Sequence, residues 1–160
     1  MEDLLAKIAQ NDRQAQAAFY NATKSAVYGY ALSVVRNTHL AEDIMQNAYI
    51  KVFCGAGRYR PMGKPMAWVF TIVRNMALSE LRKGRAEVAL PVHESVQGQD
   101  DDGARQDALA LAAVLERLGN DERQIVTLHC VAGFKHREIA DFMQIRLSTV
   151  LSKYRRSLKN

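Results

Sequence analysis

The 160-residue sequence predicts an all-α chain of two small helical domains joined by a flexible linker, and three observations predict it. Apolar residues recur at three- and four-residue steps through residues 1–85 and 107–160, the spacing that keeps one face of a helix buried. Across residues 86–106 this periodicity stops, and Pro91, Gly98, Gly103 and the run Asp100-Asp101-Asp102 mark a flexible acidic linker. Charge follows the same partition. Residues 1–90 carry twelve Lys and Arg against seven Asp and Glu, residues 91–110 one Arg against five acids, and residues 111–160 nine basic against five acidic residues. Two basic blocks, each large enough for a modest core, therefore flank an acidic connector and are expected to move relative to each other.

Leu4, Leu5 and Ile8 predict a short opening helix, and Asp12 is placed to cap a longer one carrying Ala15, Phe19, Ala22, Ala26 and Tyr30 on its inner face. Asn37-Thr38 breaks that helix. A third starts near Thr38, with Glu42 and Asp43 in its first turns, and buries Leu40, Ala41, Ile44, Met45, Ala48, Val52 and Phe53. Gly55, Gly57, Pro61, Gly63 and Pro65 punctuate a loop, after which a fourth helix runs from about Met66 to Lys83 with Val69, Ile72, Val73 and Met76 inward.

Beyond the linker, a helix from about Asp107, with Leu111, Val114, Leu115 and Leu118, is expected to cover a helix-turn-helix and make a compact four-helix module. Asn120 is the expected N-cap of the next helix, with Asp121 and Glu122 at its positive end. Ile125, Leu128 and Val131 or Ala132 form its apolar face, and Gly133 ends it. A short helix over Arg137–Met143 turns Ile139, Ala140 and Met143 inward, and Gln144-Ile145-Arg146 is the turn into the last helix. There Val150, Tyr154 and Leu158 recur at four-residue intervals, with Leu147 and Ser157 beside them.

The opposite face of that last helix falls to Ser148, Thr149, Ser152, Arg155, Arg156 and Lys159, with Lys153 on its flank. The last fifteen residues hold Arg146, Lys153, Arg155, Arg156 and Lys159 and no acid, whereas a merely solvated face mixes both signs. Such side chains donate to phosphates and base edges, as a recognition helix in a major groove does. A second nucleic-acid surface lies in the loop and fourth helix. Arg58, Tyr59, Arg60, Lys64 and Trp68 crowd cations and rings together, and Thr71, Arg74, Asn75, Leu78, Arg82 and Arg85 continue as a stripe. Rings stack on unpaired bases while cations hold the backbone, the combination that single-stranded nucleic acid requires. On the third helix, Asp43, Gln46, Asn47 and Ile50 form an outward stripe of acid, amide and one apolar residue that the core does not explain.

Other chemistries find little support. No nucleophile, base and orienter set and no Gly-rich phosphate loop stands out, so an enzyme is not expected, nor a cofactor. His129, Cys130 and His136 lack a fourth ligand for zinc, and no metal is expected. Cys54 and Cys130 fall inside apolar helical patterns and read as buried reduced thiols. No apolar run approaches membrane-spanning length and Met1-Glu2-Asp3 opens with acids, so membrane insertion is not expected and the protein is placed in the cytoplasm.

Three segments carry a family resemblance. Leu40-Ala41-Glu42-Asp43-Ile44-Met45-Gln46-Asn47-Ala48-Tyr49, then Trp68-Val69-Phe70-Thr71-Ile72-Val73-Arg74-Asn75-Met76-Ala77, and finally Leu118 to Val126 with Glu138-Ile139-Ala140 and Ser148-Thr149-Val150 resemble, in order and spacing, a sigma-70 family RNA polymerase sigma factor of the extracytoplasmic-function (ECF) type. The resemblance spans nearly the whole chain. It implies region two over 1–85, the linker over 86–106 and region four over 107–160. It implies that Asp43, Gln46, Asn47 and Ile50 bind core RNA polymerase. Arg58, Tyr59, Arg60, Lys64, Trp68, Arg74, Asn75 and Arg82 would bind the single-stranded minus-10 element, and Arg146, Ser148, Thr149, Ser152, Lys153, Arg155 and Arg156 the duplex minus-35 element. An anti-sigma factor, inserted between the blocks, is a further expected partner. Gly119 stands where the family often has proline, Gln144 where it often has glycine, Arg146-Leu147 where it often has Ser-Pro, with Ser148 a substitute cap, and Leu151 where it often has lysine. The competing reading is a stand-alone helix-turn-helix regulator whose first block dimerises or senses a ligand; the aromatic-basic loop and the Asp43 stripe favour the sigma factor.

Overall fold

The computed structural model describes residues 1–61, 63–86 (85 and 86 by backbone only) and 117–159. Helix α1 (Glu2–Ile8) buries Leu5 and Ile8. Helix α2 (Arg13–Val35) is capped by Asp12, whose Oδ1 accepts the N–H groups of Gln14 and Ala15 at 2.9 and 3.1 Å. Asp12→Ala should lower stability by about 1 kcal/mol, read as a shift in the urea midpoint; an unmoved midpoint would show that the cap contributes nothing.

The buried stripe of α2 runs Ala15, Phe19, Thr23, Val27, Tyr30, whereas Ala22 is exposed and Ala26 only half-buried. A threonine can occupy this place because its hydroxyl is satisfied: it donates to the Phe19 carbonyl at 2.7 Å and lies 2.7 Å from the Tyr49 hydroxyl. Burial pushes the Tyr49 phenol up to about 12. From Gly29 to Val35 every residue is buried, so this half of α2 is covered all round.

Arg36, in the left-handed region at φ 57°, ends α2, and Asn37 caps α3 (Thr38–Gly55) by accepting the Leu40 N–H at 2.9 Å. Ala41, Ile44, Ala48, Tyr49 and Val52 are buried on α3, with Leu40, Met45 and Phe53 half-buried. A 3-10 turn (Ala56–Arg58) leads to the loop and to α4 (Pro65–Ala86), whose first residue is a proline, which has no N–H to leave unpaired there. Val69, Phe70, Val73 and Ala77 face the core, and Ile72 and Met76 are half-buried. Helices α1, α3 and α4 all pack on α2.

In the second block α5 (Asn120–Val126) is entered from Gly119, not Asn120: the Glu122 carboxylate accepts the Gly119 N–H at 3.2 Å, and Asn120 accepts from the Arg123 guanidinium at 3.4 Å instead. The helix continues through one π turn (Thr127–Val131) to Gly133, left-handed at φ 73°. Ile125, Thr127 and Leu128 are buried, Val131 and Ala132 both half-buried. Helix α6 (His136–Met143) buries Ile139 and Ala140 and leaves Met143 half-buried. Gln144, at φ 57°, takes the left-handed position into α7 (Leu147–Ser157), its side-chain amide donating to the Asp141 carbonyl at 2.6 Å. Val150 is fully buried and Tyr154 half-buried, but Leu158 lies past the helix end and is 66% exposed, so the inward stripe stops a turn early. Ser148 is the second residue of α7 and does not cap it; Arg146 holds that place with no side-chain bond. The linker and most of the helix expected from Asp107 lie outside the described residues; Leu118 is buried.

The two blocks meet along a seam. Arg123, 3% exposed, donates to the Leu118 carbonyl at 2.7 Å and across the seam to the Ser33 carbonyl at 3.3 Å. The Tyr30 hydroxyl donates to the Gln124 side chain at 3.3 Å. Edge-to-face contacts run from Phe70 to Tyr30 (5.2 Å between centroids) and to Phe134 (5.4 Å).

Candidate nucleic-acid and polymerase interfaces

Because α3 buries Ala41, Ile44, Ala48 and Val52, the 100° step leaves Asp43, Gln46, Asn47 and Ile50 on its far side. All four are exposed, Ile50 by 60%, a large apolar side chain held in water next to polar neighbours.

The loop after α3 carries Arg58, Arg60 and Lys64 outward, all exposed. Its rings are more tied down than free stacking platforms would be. Tyr59 and Trp68 are half-buried, 5.2 Å apart and tilted by 46°. The indole lies over Gly55, where an added Cβ would come within 3.4 Å of it, tighter than most such contacts. The loop is also held from a distant part of the chain: one oxygen of Glu2 accepts the Tyr59 hydroxyl at 3.0 Å and the Gly63 N–H at 2.8 Å. Down α4, Thr71, Asn75 and Arg82 are exposed and Leu78 half-buried, while the Arg85 side chain lies outside the described residues. Arg74 is not free for a strand: its guanidinium carbon sits 6.0 Å from the Phe142 ring centre, a cation–π contact with the second block. The start of α4 and the helix-turn-helix bound a cleft of about 580 Å³ whose walls include Lys64, Thr71, Phe134, Glu138, Asp141 and Phe142.

On α7 and at its two ends, Arg146, Ser148, Ser152, Arg155, Arg156 and Lys159 are exposed and Thr149 is half-buried, so one side offers hydroxyls and cations together. Two of the cations have partners on α5. Lys153 pairs with Asp121 at 2.9 Å and Arg156 with Glu122 at 3.4 Å, which orients them beside the exposed face while leaving Arg146 and Arg155 outside those pairs. Half-exposed pairs of this kind add little stability and are easily exchanged for phosphate.

Behind the face, His129 and His136 stack at 4.2 Å, and the Tyr154 ring meets both edge-on at 4.9 and 4.7 Å. His129 Nδ1 donates to the Phe134 carbonyl at 2.8 Å. Cys130 is exposed, as is Cys54, contrary to the expectation of buried thiols: each falls on the outer side of its helix end. Burial, and next the neighbouring His129, hold His136 below its ordinary 6.5. A base whose folded pKa is lowered contributes stability that is complete above the unfolded value and is lost as pH falls below it. The urea midpoint should therefore drop between pH 7 and 5, and less steeply in His136→Gln; equal slopes would show that another group is responsible.

Neither the seam nor the Glu2 bridge follows from local spacing, although the unbroken run Tyr30-Ala31-Leu32-Ser33-Val34-Val35 is a signal of a helix covered on all sides.

The family models for sigma-70 region 2 and for sigma-70 region 4 match residues 19–87 and 108–160. An ECF RNA polymerase sigma factor SigK of Mycobacterium sp. (strain KMS) is 30% identical over all of this chain and 89% of its own length. One of Mycobacterium tuberculosis (strain ATCC 25177 / H37Ra) is 29% identical over all of this chain and 92% of its own. Among solved structures, CnrH in complex with the cytosolic domain of CnrY superposes with a TM-score of 0.66 at 19% identity, covering 99% of this chain and 92% of that one. The sigma factor RpoE of Bartonella quintana, in complex with the anti-sigma factor NepR, gives 0.67 at 24% identity, covering 89% and 91%. With both regions matched in order and a relative 30% identical along its whole length, the chain belongs to the sigma-70 family as an RNA polymerase sigma factor of the ECF type.

Proposed function

We propose that residues 1–85 act as the polymerase-docking and minus-10 unit, 86–106 as linker and 107–160 as the minus-35 unit of this sigma factor, acting in the cytoplasm. The observation that carries the assignment is the exposed stripe Asp43, Gln46, Asn47 and Ile50 one helix away from the basic loop: a docking face and a strand-binding face on the same small bundle. Core RNA polymerase binds the stripe. Arg58, Tyr59, Arg60, Lys64 and Trp68 receive a base unstacked from the minus-10 element, with Arg74, Asn75 and Arg82 along the same strand. Arg146, Ser148, Thr149, Ser152, Lys153, Arg155 and Arg156 hold the minus-35 duplex. Unstacking a base takes a few kcal/mol, and stacking with hydrogen bonding in the loop offsets it, so the strands separate by capture and no covalent bond is made or broken. Since Arg74 lies against Phe142, reading the strand with it requires the seam to part. The structurally similar sigma factor RpoE was solved in complex with the anti-sigma factor NepR, and this chain is proposed to be held by an anti-sigma protein as well.

Core polymerase supplemented with this protein should start transcription at discrete sites, and Asp43→Lys with Ile50→Ala should abolish co-elution with the polymerase while the melting temperature stays put. Tight sequence-specific duplex binding by the protein alone, without polymerase association, would instead establish the stand-alone regulator.

A further inference from the structure

We infer that Glu2 is a positioning residue for promoter opening, fixing from the first turn of α1 the loop that receives the unpaired base. The inference rests on the proposed role of that loop. A single carboxylate oxygen, Oε1, accepts the Tyr59 hydroxyl at 3.0 Å and the Gly63 N–H at 2.8 Å, and so ties both ends of the segment that carries Arg60. The segment needs such a tie. It contains Pro61 and Gly63, the latter left-handed at φ 70°, and its described residues belong to no helix, so its backbone would otherwise sample many arrangements that cannot accept a base.

The tie continues inward. Tyr59, held at its hydroxyl by Glu2, keeps its ring on Trp68, and Trp68 lies over Gly55 at the end of α3. Glu2, distant in sequence, thus joins Tyr59, Trp68 and Gly55 in one support running from α1 through the loop to α4. A carboxylate also repels the phosphates of a nucleic-acid strand. Its place beneath a basic loop is accounted for by the two donors it accepts, not by contact with DNA. Leu5 and Ile8, both 1% exposed, anchor α1 independently of Glu2, so removing the carboxylate should release the loop without undocking the helix.

The test uses holoenzyme reconstituted from core polymerase and the full chain, on a promoter located by start-site mapping with the wild-type protein. Opening is followed by the fluorescence of 2-aminopurine in the minus-10 element at saturating holoenzyme. Glu2→Ala should slow opening about tenfold, the scale of losing hydrogen bonds to a charged group, with polymerase affinity unchanged and the melting temperature lowered by no more than a few degrees. Glu2→Gln keeps an acceptor oxygen and should recover most of the rate. Arg60→Ala, which alters the loop itself, should be slow. Glu2→Ala at wild-type speed beside a slow Arg60→Ala would overturn the role of Glu2 and leave the loop assignment standing; both at wild-type speed would overturn the loop assignment as well. A parallel fall in polymerase affinity, loss of cooperative unfolding, or Glu2→Gln as slow as Glu2→Ala, would also overturn the inference.

Discussion

Truncating Phe70 to alanine should destabilise the protein by about 3–5 kcal/mol, a large share of what a domain of this size has. Phe70 is wholly buried, and its ring meets Tyr30 on one side and Phe134 on the other, so the hole would open where the first block's core runs into the seam. Urea unfolding should show the loss as a lowered midpoint. Phe134→Ala, which removes only the second block's ring, should leave the first block near its normal stability and make the two blocks unfold in separate steps. A Phe70→Ala midpoint within error of wild type would mean that the ring does not fill this core.

Asn75→Ala should impair promoter opening by about 1–3 kcal/mol, roughly tenfold or more in rate, while polymerase affinity stays within a factor of two. The residue is exposed on the face of α4 that also carries Thr71, so its removal leaves the core intact. Trp68→Ala should also slow opening, but the indole packs on Tyr59 and over Gly55, and its loss would disturb the loop as well. Parallel loss of opening and of polymerase affinity in Asn75→Ala would point to misfolding and against a strand contact.

Features set by a few adjacent residues were legible in the sequence. Asp12 caps the helix that follows it, and Gly133 takes the left-handed turn, because each choice depends on backbone groups only two or three residues away. The outward stripe of α3 was legible for the same reason, periodicity fixing the face. Two cap positions failed locally, Asn120 giving way to Gly119 and Ser148 to Arg146, while most other misses depended on distant partners. Thr23 displaces Ala22 from the inner face because Tyr49, on another helix, satisfies its hydroxyl. The pattern Val150, Tyr154, Leu158 continues past the point where α7 ends, so spacing alone carried it one residue too far. Lys153 and Arg156 read as free cations until the acids of α5 come alongside them in three dimensions. The Glu2 bridge spans 57 and 61 positions, beyond anything periodicity can report.

Gly29 gives the seam a thermodynamic meaning. It sits within a 23-residue helix, and a Cβ there would meet Thr127 and Val131 at 3.7 and 3.9 Å, ordinary contact distances. Alanine would fit, and would favour the helix by about 1 kcal/mol. On the proposed reading of Arg74, only chains whose blocks have parted can bind the strand with it, and apparent affinity for the strand falls in proportion to that fraction. By leaving out one methyl group at this contact, the chain forgoes the apolar burial that an alanine would add between Thr127 and Val131, and so holds its two blocks together less tightly than the spacing allows.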